Sequence, residues 1–520
     1  MAAAERLARA VGDALAFVRA REGVREAEVF AAENRTLLTR LNYTSHIPCN
    51  GVEEPKSAEN FGIGIQVVLD SPDGPLLGFG SEPSDLSTAG AARALAKARQ
   101  GAVRDPEFHS LPRPGPARRA VAEYHDPALL AVGDERLVEA GWTVLHGGLG
   151  AFLASSTLAA AAASEAELRG LGLILGGDVT ILQESMAIAS TAMPEPQSDV
   201  STLITSFVTA MVEARDAKGS GWSTGTRLED LTGEAGADAA QRAIEAIGGE
   251  RVPSGDYTVI FGRQPVADLL NNLIVPSCEA DAFYSSSTPF LGRLGRRVAA
   301  PRLSIYDQGA MPGLMGSKGI TCEGLPTGRT ELIKDGVLTA LLTDWYQAER
   351  LLHDPAIKEK LGADREAAGP ALVARNGFRY TGNGGRAFDS PPGTAASNIV
   401  VEGADPVSIE ELIRGVGHGL YVGRIWYTYP INGLRAGDFT CTVVGDSFII
   451  RDGRLAAPLR ANTVRINDNI VRLLGAVSGV TKEARGTVVW AVDEVVYTPE
   501  IAVTGVHVDA IAGFMDSLGG

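Results

Sequence analysis

The sequence predicts an α+β fold: an α/β N-terminal domain, a small mixed central region and a large antiparallel β-rich C-terminal domain. Three observations predict it. A chain of 520 residues is too long for one simple core, so two or three domains are expected. The three prolines of Leu111-Pro-Arg-Pro-Gly-Pro-Ala117 preclude regular helix and mark a linker. Beyond Pro253-Ser-Gly255 the pattern turns to short strands bounded by Gly, Asp or Asn, which argues antiparallel sheet. The expected domains are 1–118, 119–252 and 253–520.

The first domain opens with a helix over residues 3–22, with Leu7, Val11, Leu15 and Val18 on one face. Residues 26–43 alternate enough for one or two strands. Residues 61–68 and 76–79 read as a hairpin around Ser71-Pro-Asp-Gly74, where proline presets φ and glycine takes the turn. A helix follows to about residue 104, capped by Ser84 or Ser87.

In the central region residues 126–164 read as helix, interrupted at Gly147-Gly148. Strands are expected at 170–175, 179–184 and 186–193, and another at 200–213. Lys218-Gly-Ser-Gly-Trp222 reads as a glycine-rich turn, and 233–247 as an Ala-rich helix. The last domain has strand candidates at 257–261, 302–306, 331–334, 397–401, 419–427, 439–444, 447–451 and 495–503. A charged, alanine-rich segment, 351–374, reads as a helical insertion.

Hydrophobic residues at 45% and charged residues at 21% fit an ordinary globular chain. The 61 glycines suggest many turns. A net charge of −16 speaks against a nucleic-acid surface as the main function. Cys49, Cys278, Cys322 and Cys441 lie far apart without a CxxC spacing, so a structural zinc is not expected and reduced thiols of a cytoplasmic protein are. Residues 1–18 carry Glu5, Arg6, Arg9 and Asp13 and read as an amphipathic helix rather than a signal peptide. The longest uncharged stretch, 140–164, is long enough to cross a bilayer. Its Ala, Gly and Ser content and His146 favour packing inside a domain, so no membrane partner is expected.

A series of motifs runs through the chain in a fixed order. It includes Asp85-Leu-Ser87, Ser220-Gly-Trp222, Pro253-Ser-Gly-Asp-Tyr-Thr-Val-Ile-Phe261 and Leu291-Gly-Arg-Leu-Gly295. Cys322-Glu-Gly-Leu-Pro-Thr327, Tyr380-Thr-Gly-Asn-Gly384, Gly419-Leu-Tyr-Val422, Gly437-Asp-Phe439 and Thr498-Pro-Glu-Ile501 continue it. In this order the chain resembles the TldD/PmbA (TldE) family of peptide-processing metalloproteases. The resemblance implies two related subunits. A TldD-like subunit holds one zinc with two histidines and a cysteine; a TldE-like subunit lacks these ligands. Together they form a barrel-like heterodimer that takes in flexible peptides.

By this resemblance the present chain is the TldE/PmbA type. The segment that would carry His-Glu-x-x-x-His reads Val266-Ala-Asp-Leu-Leu-Asn-Asn-Leu-Ile274, with no histidine. The stretch 475–486, where the active subunit has its cysteine, has none. Zinc needs imidazole, thiolate or carboxylate ligands converging on one point, and no His-x-x-x-His pair exists in the chain. The expectation is no cofactor bound by this chain, zinc in a TldD-like partner, and a peptide as substrate; the alternatives are a homodimeric peptide-binding scaffold, or a repurposed family member acting on a small molecule or natural-product intermediate. Two departures from the TldE pattern are Thr-Cys-Thr-Val-Val-Gly445 after Phe439, in place of a Ser-Arg-Gly run, and the 351–374 insertion.

Candidate site residues follow. His418, in Gly415-Val-Gly-His-Gly419, is either a general acid–base or metal group or a turn histidine bonded to backbone. Asp438 and Cys441 complete a catalytic constellation with it only if the fold brings them together; otherwise Cys441 is a buried strand thiol. Trp345, Tyr346, Trp426 and Tyr427, with Tyr429, offer amphipathic surface for a peptide, or else core or interface packing. Glu323 and Asp307 are candidates for paired carboxylates or for turn and interface hydrogen bonds. Gly382-Asn-Gly-Gly385 lacks the Lys-Ser/Thr pair of a phosphate loop.

Overall fold

The computed structural model describes residues 3–41, 51–53, 55–115, 124–381, 384–488 and 495–511. Cys49, the end of the proline linker and part of the 382–385 turn lie outside the described residues.

The N-terminal half is one seven-stranded sheet. Its strands are β1 (Val24–Leu41), β2 (Lys56–Leu69), β3 (Leu76–Pro83), β4 (Val103–Arg104), β5 (Leu173–Ser190), β6 (Gln197–Val212) and β7 (Ala217–Gly225). The order is β4-β3-β2-β1-β5-β6-β7, and every neighbour is antiparallel. The 118/119 boundary therefore does not fall between two sheets, because β1 pairs with β5 along its length.

Side chains alternate across a strand, and here each face has one neighbour. Odd-numbered residues of β1, such as Ala27, Val29, Ala31 and Leu37, pack under helices; Phe30 and Ala32 pack against the C-terminal domain's Cys322, Phe378 and Phe388. The helices on the first face are Ala3–Arg19, Thr88–Gln100, Asp134–Ala154 and Glu234–Glu245. Both faces of β5 are thus buried from Val179 to Ser190, and the polar Gln183, Glu184 and Ser185 are buried along with its apolar residues. The three short strands expected at 170–193 are this one long strand.

Two further expectations change for the same reason. Lys218-Gly-Ser-Gly-Trp222 is strand β7, not a turn. A Cβ on Gly219 or Gly221 would sit 2.3 Å from the Ala239 carbonyl or 2.0 Å from the Ala235 carbonyl, so these glycines let helix Glu234–Glu245 lie on the strand. Gly147-Gly148 does not interrupt its helix: Asp134–Ala154 runs through it, and Gly147 meets the Gly233 carbonyl where a Cβ would approach to 2.0 Å. By length and composition this helix could cross a bilayer, yet in the fold it buries Leu137, Val144, Leu145 and Phe152 against the sheet and its companion helix.

The C-terminal domain holds two larger sheets around one apolar core. Its strands begin with β8 (Gly255–Phe261), β9 (Leu303–Gln308), β10 (Arg329–Lys334), β11 (Val337–Leu338), β12 (Gly377–Phe378), β13 (Gly393–Thr394) and β14 (Ile399–Gly403). They continue with β15 (Gly419–Val422), β16 (Arg424–Pro430), β17 (Asp438–Gly445), β18 (Phe448–Arg451), β19 (Arg454–Pro458) and β20 (Val464–Asn469). The last are β21 (Val477–Val480), β22 (Arg485–Val488), β23 (Val495–Thr498) and β24 (Ile501–Ala510). The six-stranded sheet runs β11-β10-β9-β14-β23-β22, and the nine-stranded sheet runs β16-β17-β20-β24-β8-β15-β18-β19 with β21 on β24. Two pairs are parallel, β14 with β23 and β15 with β8, so the domain is not wholly antiparallel. The expected strand 419–427 splits into β15 and β16, and 495–503 into β23 and β24, which belong to different sheets. The expected insertion is helical: Ile357–Leu361 and Arg365–Ala368 follow helix Trp345–Leu352.

Candidate functional site

The segment that carries no histidine follows β8 directly. Gly262 leads into helix Arg263–Leu269, which widens by one residue per turn over Leu270–Ile274. Gln264 anchors it: its amide exchanges two hydrogen bonds with the Ile425 backbone, at 2.9 and 3.3 Å. Asp268 is fully buried and accepts from Thr428 Oγ1 at 2.6 Å and Asn272 Nδ2 at 2.9 Å. Leu269, Leu270, Leu273 and Ile274 fill the core. These residues do not fit zinc. The one carboxylate is already held by two donors, and its neighbours are amides and leucines. Among the described residues no group of three or more His, Cys, Asp or Glu could hold a metal ion.

The fold does not assemble His418, Asp438 and Cys441. His418 precedes β15, and β8, β24 and β20 lie between β15 and β17, which bears the other two. Asp438 and Cys441 are three apart on β17 and so face opposite sides of the sheet. The His418 side chain is 74% exposed, with Nε2 3.4 Å from Asp452. Asp438 accepts from Asn469 and Asn432, and these bonds hold its carboxyl below the usual range. Burial pushes the Cys441 thiol far up, which is wrong for a nucleophile. Nor do Glu323 and Asp307 pair: Glu323 accepts from the Trp345 backbone N–H at 3.1 Å, and Asp307 from Asn376 and Ser397.

The aromatic candidates fall at two places. Trp345 and Tyr346 open helix Trp345–Leu352 beside a cleft of about 640 Å³ between the two halves of the chain. Trp345 Nε1 donates to the Ser110 carbonyl at 3.0 Å, and Tyr346 OH to Asp105 at 3.0 Å, so both rings are fastened to the N-terminal half. The cleft carries Glu28, Asp105, Glu279, Asp281, Glu323 and Asp344. Burial first, then Asp281 and Asp344, push the Glu279 carboxyl up to about 8.

Trp426 and Tyr427 lie on β16, the edge strand of the nine-stranded sheet. The ladder with β17 breaks between Trp426 and Tyr429, where Tyr427 takes a left-handed φ of 56°. This bulge turns Tyr427 outward, 68% exposed, beside exposed Tyr429 and Ile431.

Two more clefts meet at a residue that sequence reasoning missed. One of about 610 Å³ is lined by Arg242, Arg263, Tyr421 and Glu500, the other of about 560 Å³ by Phe207, Lys218, Arg424 and Trp426; Asp446 lines both. Asp446 sits in the β17–β18 turn with φ 49°, and its side chain is buried between Arg242 and Arg424. Burial raises its pKa, and the two guanidiniums oppose the rise. The sequence signal was slight: Gly445-Asp-Ser447 reads only as a turn.

Residues 254–510 match the PmbA/TldA metallopeptidase C-terminal domain. Metalloprotease slr0863 of Synechocystis is 28% identical over 248 residues, 47% of this chain and 46% of that protein. Metalloprotease PmbA of Escherichia coli O157:H7 is 25% identical over 250 residues, 47% of this chain and 46% of its own. The chain spans about half the length of the curated relatives it matches. The crystal structure of TldE from Thermococcus kodakarensis superposes with a TM-score of 0.74 at 18% identity, covering 96% of this chain and all of that one; that likeness is one of fold. Fold and matched domain together define a metallopeptidase-like α+β protein. Residues 254–510 belong to the PmbA/TldD family by this domain, and the rest of the chain shares the fold of TldE.

Proposed function

We propose that this chain is the non-catalytic, TldE/PmbA-like subunit of a cytoplasmic zinc metalloprotease complex of the TldD/TldE type, which processes or degrades flexible peptides. One observation carries the reading. The segment 263–274, where the family resemblance implies the metal motif of the active subunit, is an anchored and packed helix in which Asp268 is taken up by internal hydrogen bonds and no histidine occurs. Zinc then belongs to a TldD-like partner, which supplies the metal-activated water. This chain supplies part of the chamber wall and the subunit interface.

A second reading, a homodimeric peptide-binding scaffold, draws support from the edge strand β16. An extended peptide adds to a free sheet edge through main-chain hydrogen bonds, and exposed Tyr427 and Tyr429 offer it rings. Metal content and peptidase activity of the chain alone, and mixed with a TldD-like protein from the same genome, separate the two. Zinc and activity only in the mixture support the subunit reading. Peptide binding without any association in the mixture supports the scaffold. Zinc and activity in the chain alone overturn both.

A further inference from the structure

The 560 Å³ cleft has a floor and a wall from different halves of the chain. Its floor is the helix-free face of the seven-stranded sheet, with Phe207 on β6 and Lys218 and Ser220 on β7. Its wall is Arg424 and Trp426 of β16 and the turn at Asp446. Arg424 stands between the rings of Phe207 and Trp426, at 5.4 and 5.3 Å from their centroids. A guanidinium has five N–H donors. Arg424 commits one of them, to Ser220 Oγ.

The counter-charge of Arg424 is incomplete. Asp446 is 3% exposed; the Ser220 hydroxyl and backbone N–H lie near its carboxylate, but neither oxygen makes a hydrogen bond of good geometry. Its charge acts on Arg424 without a direct hydrogen bond and is shared with Arg242 and with Ser220. Burial accordingly holds Arg424 below the usual guanidinium value despite Asp446. Lys218, two residues from Ser220 on the same face of β7, is exposed and has no ion pair among the described residues. The two cations share one end of the cleft: Gly445 pairs with Arg424 across the ladder, and a Cβ on Gly445 would lie 3.8 Å from the Lys218 carbonyl. Arg40 and Asp178, which pairs with Phe207 across the ladder, neutralise each other at 2.9 Å, and Glu53 adds a negative charge, so Arg424 and Lys218 are the lining cations without a close ion pair among the described residues.

We propose that this cleft binds a peptide by a carboxylate, seated on the Arg424 fork and Lys218, with the adjoining side chain against Phe207 and Trp426. A planar carboxylate matches the open edge of a guanidinium bidentately. The aromatic walls shield that pair from water. The inference rests on the peptide reading above and names the chemical group by which this chain holds the peptide.

The test is calorimetric titration of the full chain with three short Ser/Ala/Tyr peptides: a free acid, its C-terminal amide, and an amide with one internal Glu. The free acid should bind about tenfold or more tighter than the plain amide, the span of a charge-assisted hydrogen bond. If the Glu-containing amide matches the acid, any peptide carboxylate is read; if it matches the plain amide, the chain terminus is read. Both outcomes support the site. Arg424→Gln should erase the discrimination and Lys218→Gln should narrow it, with melting curves confirming folded protein. Equal affinity of acid and plain amide for the unaltered chain overturns the carboxylate site while leaving the peptide reading standing. So does a folded Arg424→Gln that still discriminates. Failure of all three peptides to bind, with or without a TldD-like partner, overturns the peptide reading and this site with it.

Discussion

Glu279 is a carboxyl that keeps its proton near neutrality, with its pKa raised to about 8 by burial and by Asp281 and Asp344. The unfolded chain releases that proton in the ordinary carboxylate range, so between that range and about 8 the folded state binds more protons than the unfolded one. Its contribution to stability is whole below the unfolded value and is lost as pH rises through about 8. Glu279→Gln should therefore flatten the fall in stability across that window and raise the melting temperature at its upper end; equal slopes for both proteins would refute the assignment. His507 carries a shift of the same sign, from hydrogen bonding to Asp256, on an exposed side chain. None of this was legible in the sequence, because burial, the main cause, is a property of the fold, and Asp344 lies far along the chain from Glu279. Cys441 as a buried strand thiol was legible, from the apolar alternation around it. The separation of His418 from it was not, since strand order is a long-range property.

At the scale of elements, β7 and helix Glu234–Glu245 pack through glycine and alanine rather than through large side chains. Gly221 lies under the Ala235 carbonyl, and Ala235, Ala239 and Ala243 are buried opposite. Gly221→Ala should cost about 1–3 kcal/mol in denaturant unfolding, the usual cost of overfilling a tight contact. A glycine run reads as a turn when only local propensity is weighed; here close approach of a helix decides. Helix Ile409–Val416 is the converse case, where local chemistry suffices. Ser408 and Glu411 form a reciprocal capping box, and Ser408→Ala should cost about 1 kcal/mol in the same measurement. The hairpin at Ser71-Pro-Asp-Gly74 and the Ser87 cap were readable for the same reason.

At the scale of the whole molecule, buried charges join the N-terminal sheet to the C-terminal domain. Lys318 Nζ donates to Glu184 at 2.6 Å and to Ser201 at 2.8 Å, and Arg386 reaches Glu184 at 3.2 Å and Asp199 at 3.4 Å. All four charged side chains are nearly inaccessible. Burial pushes the Glu184 carboxyl up, but Lys318 and Arg386 outweigh it and hold the group at about 2. Lys318→Met should cost about 3–5 kcal/mol, since it removes one of the two cations on buried Glu184 and leaves Arg386 shared between Glu184 and Asp199. The double variant with Glu184→Met should recover part of that loss in a double-mutant cycle. The shared sheet rests on pairing between residues far apart in the chain, which is why the proline linker and the division expected near residue 118 give no sign of it. Nothing in the residues of β1 and β5 says which strand lies beside which.

That shared sheet sets a timetable for biosynthesis. Glu28 of β1 pairs with Ser190 of β5. At ribosomal speeds of about 5–20 residues per second, β1 waits roughly ten seconds or more for the strand that covers its second edge. Through that interval the β2–β3 hairpin covers the first edge, and the other remains open on the nascent chain to any extended segment that reaches it.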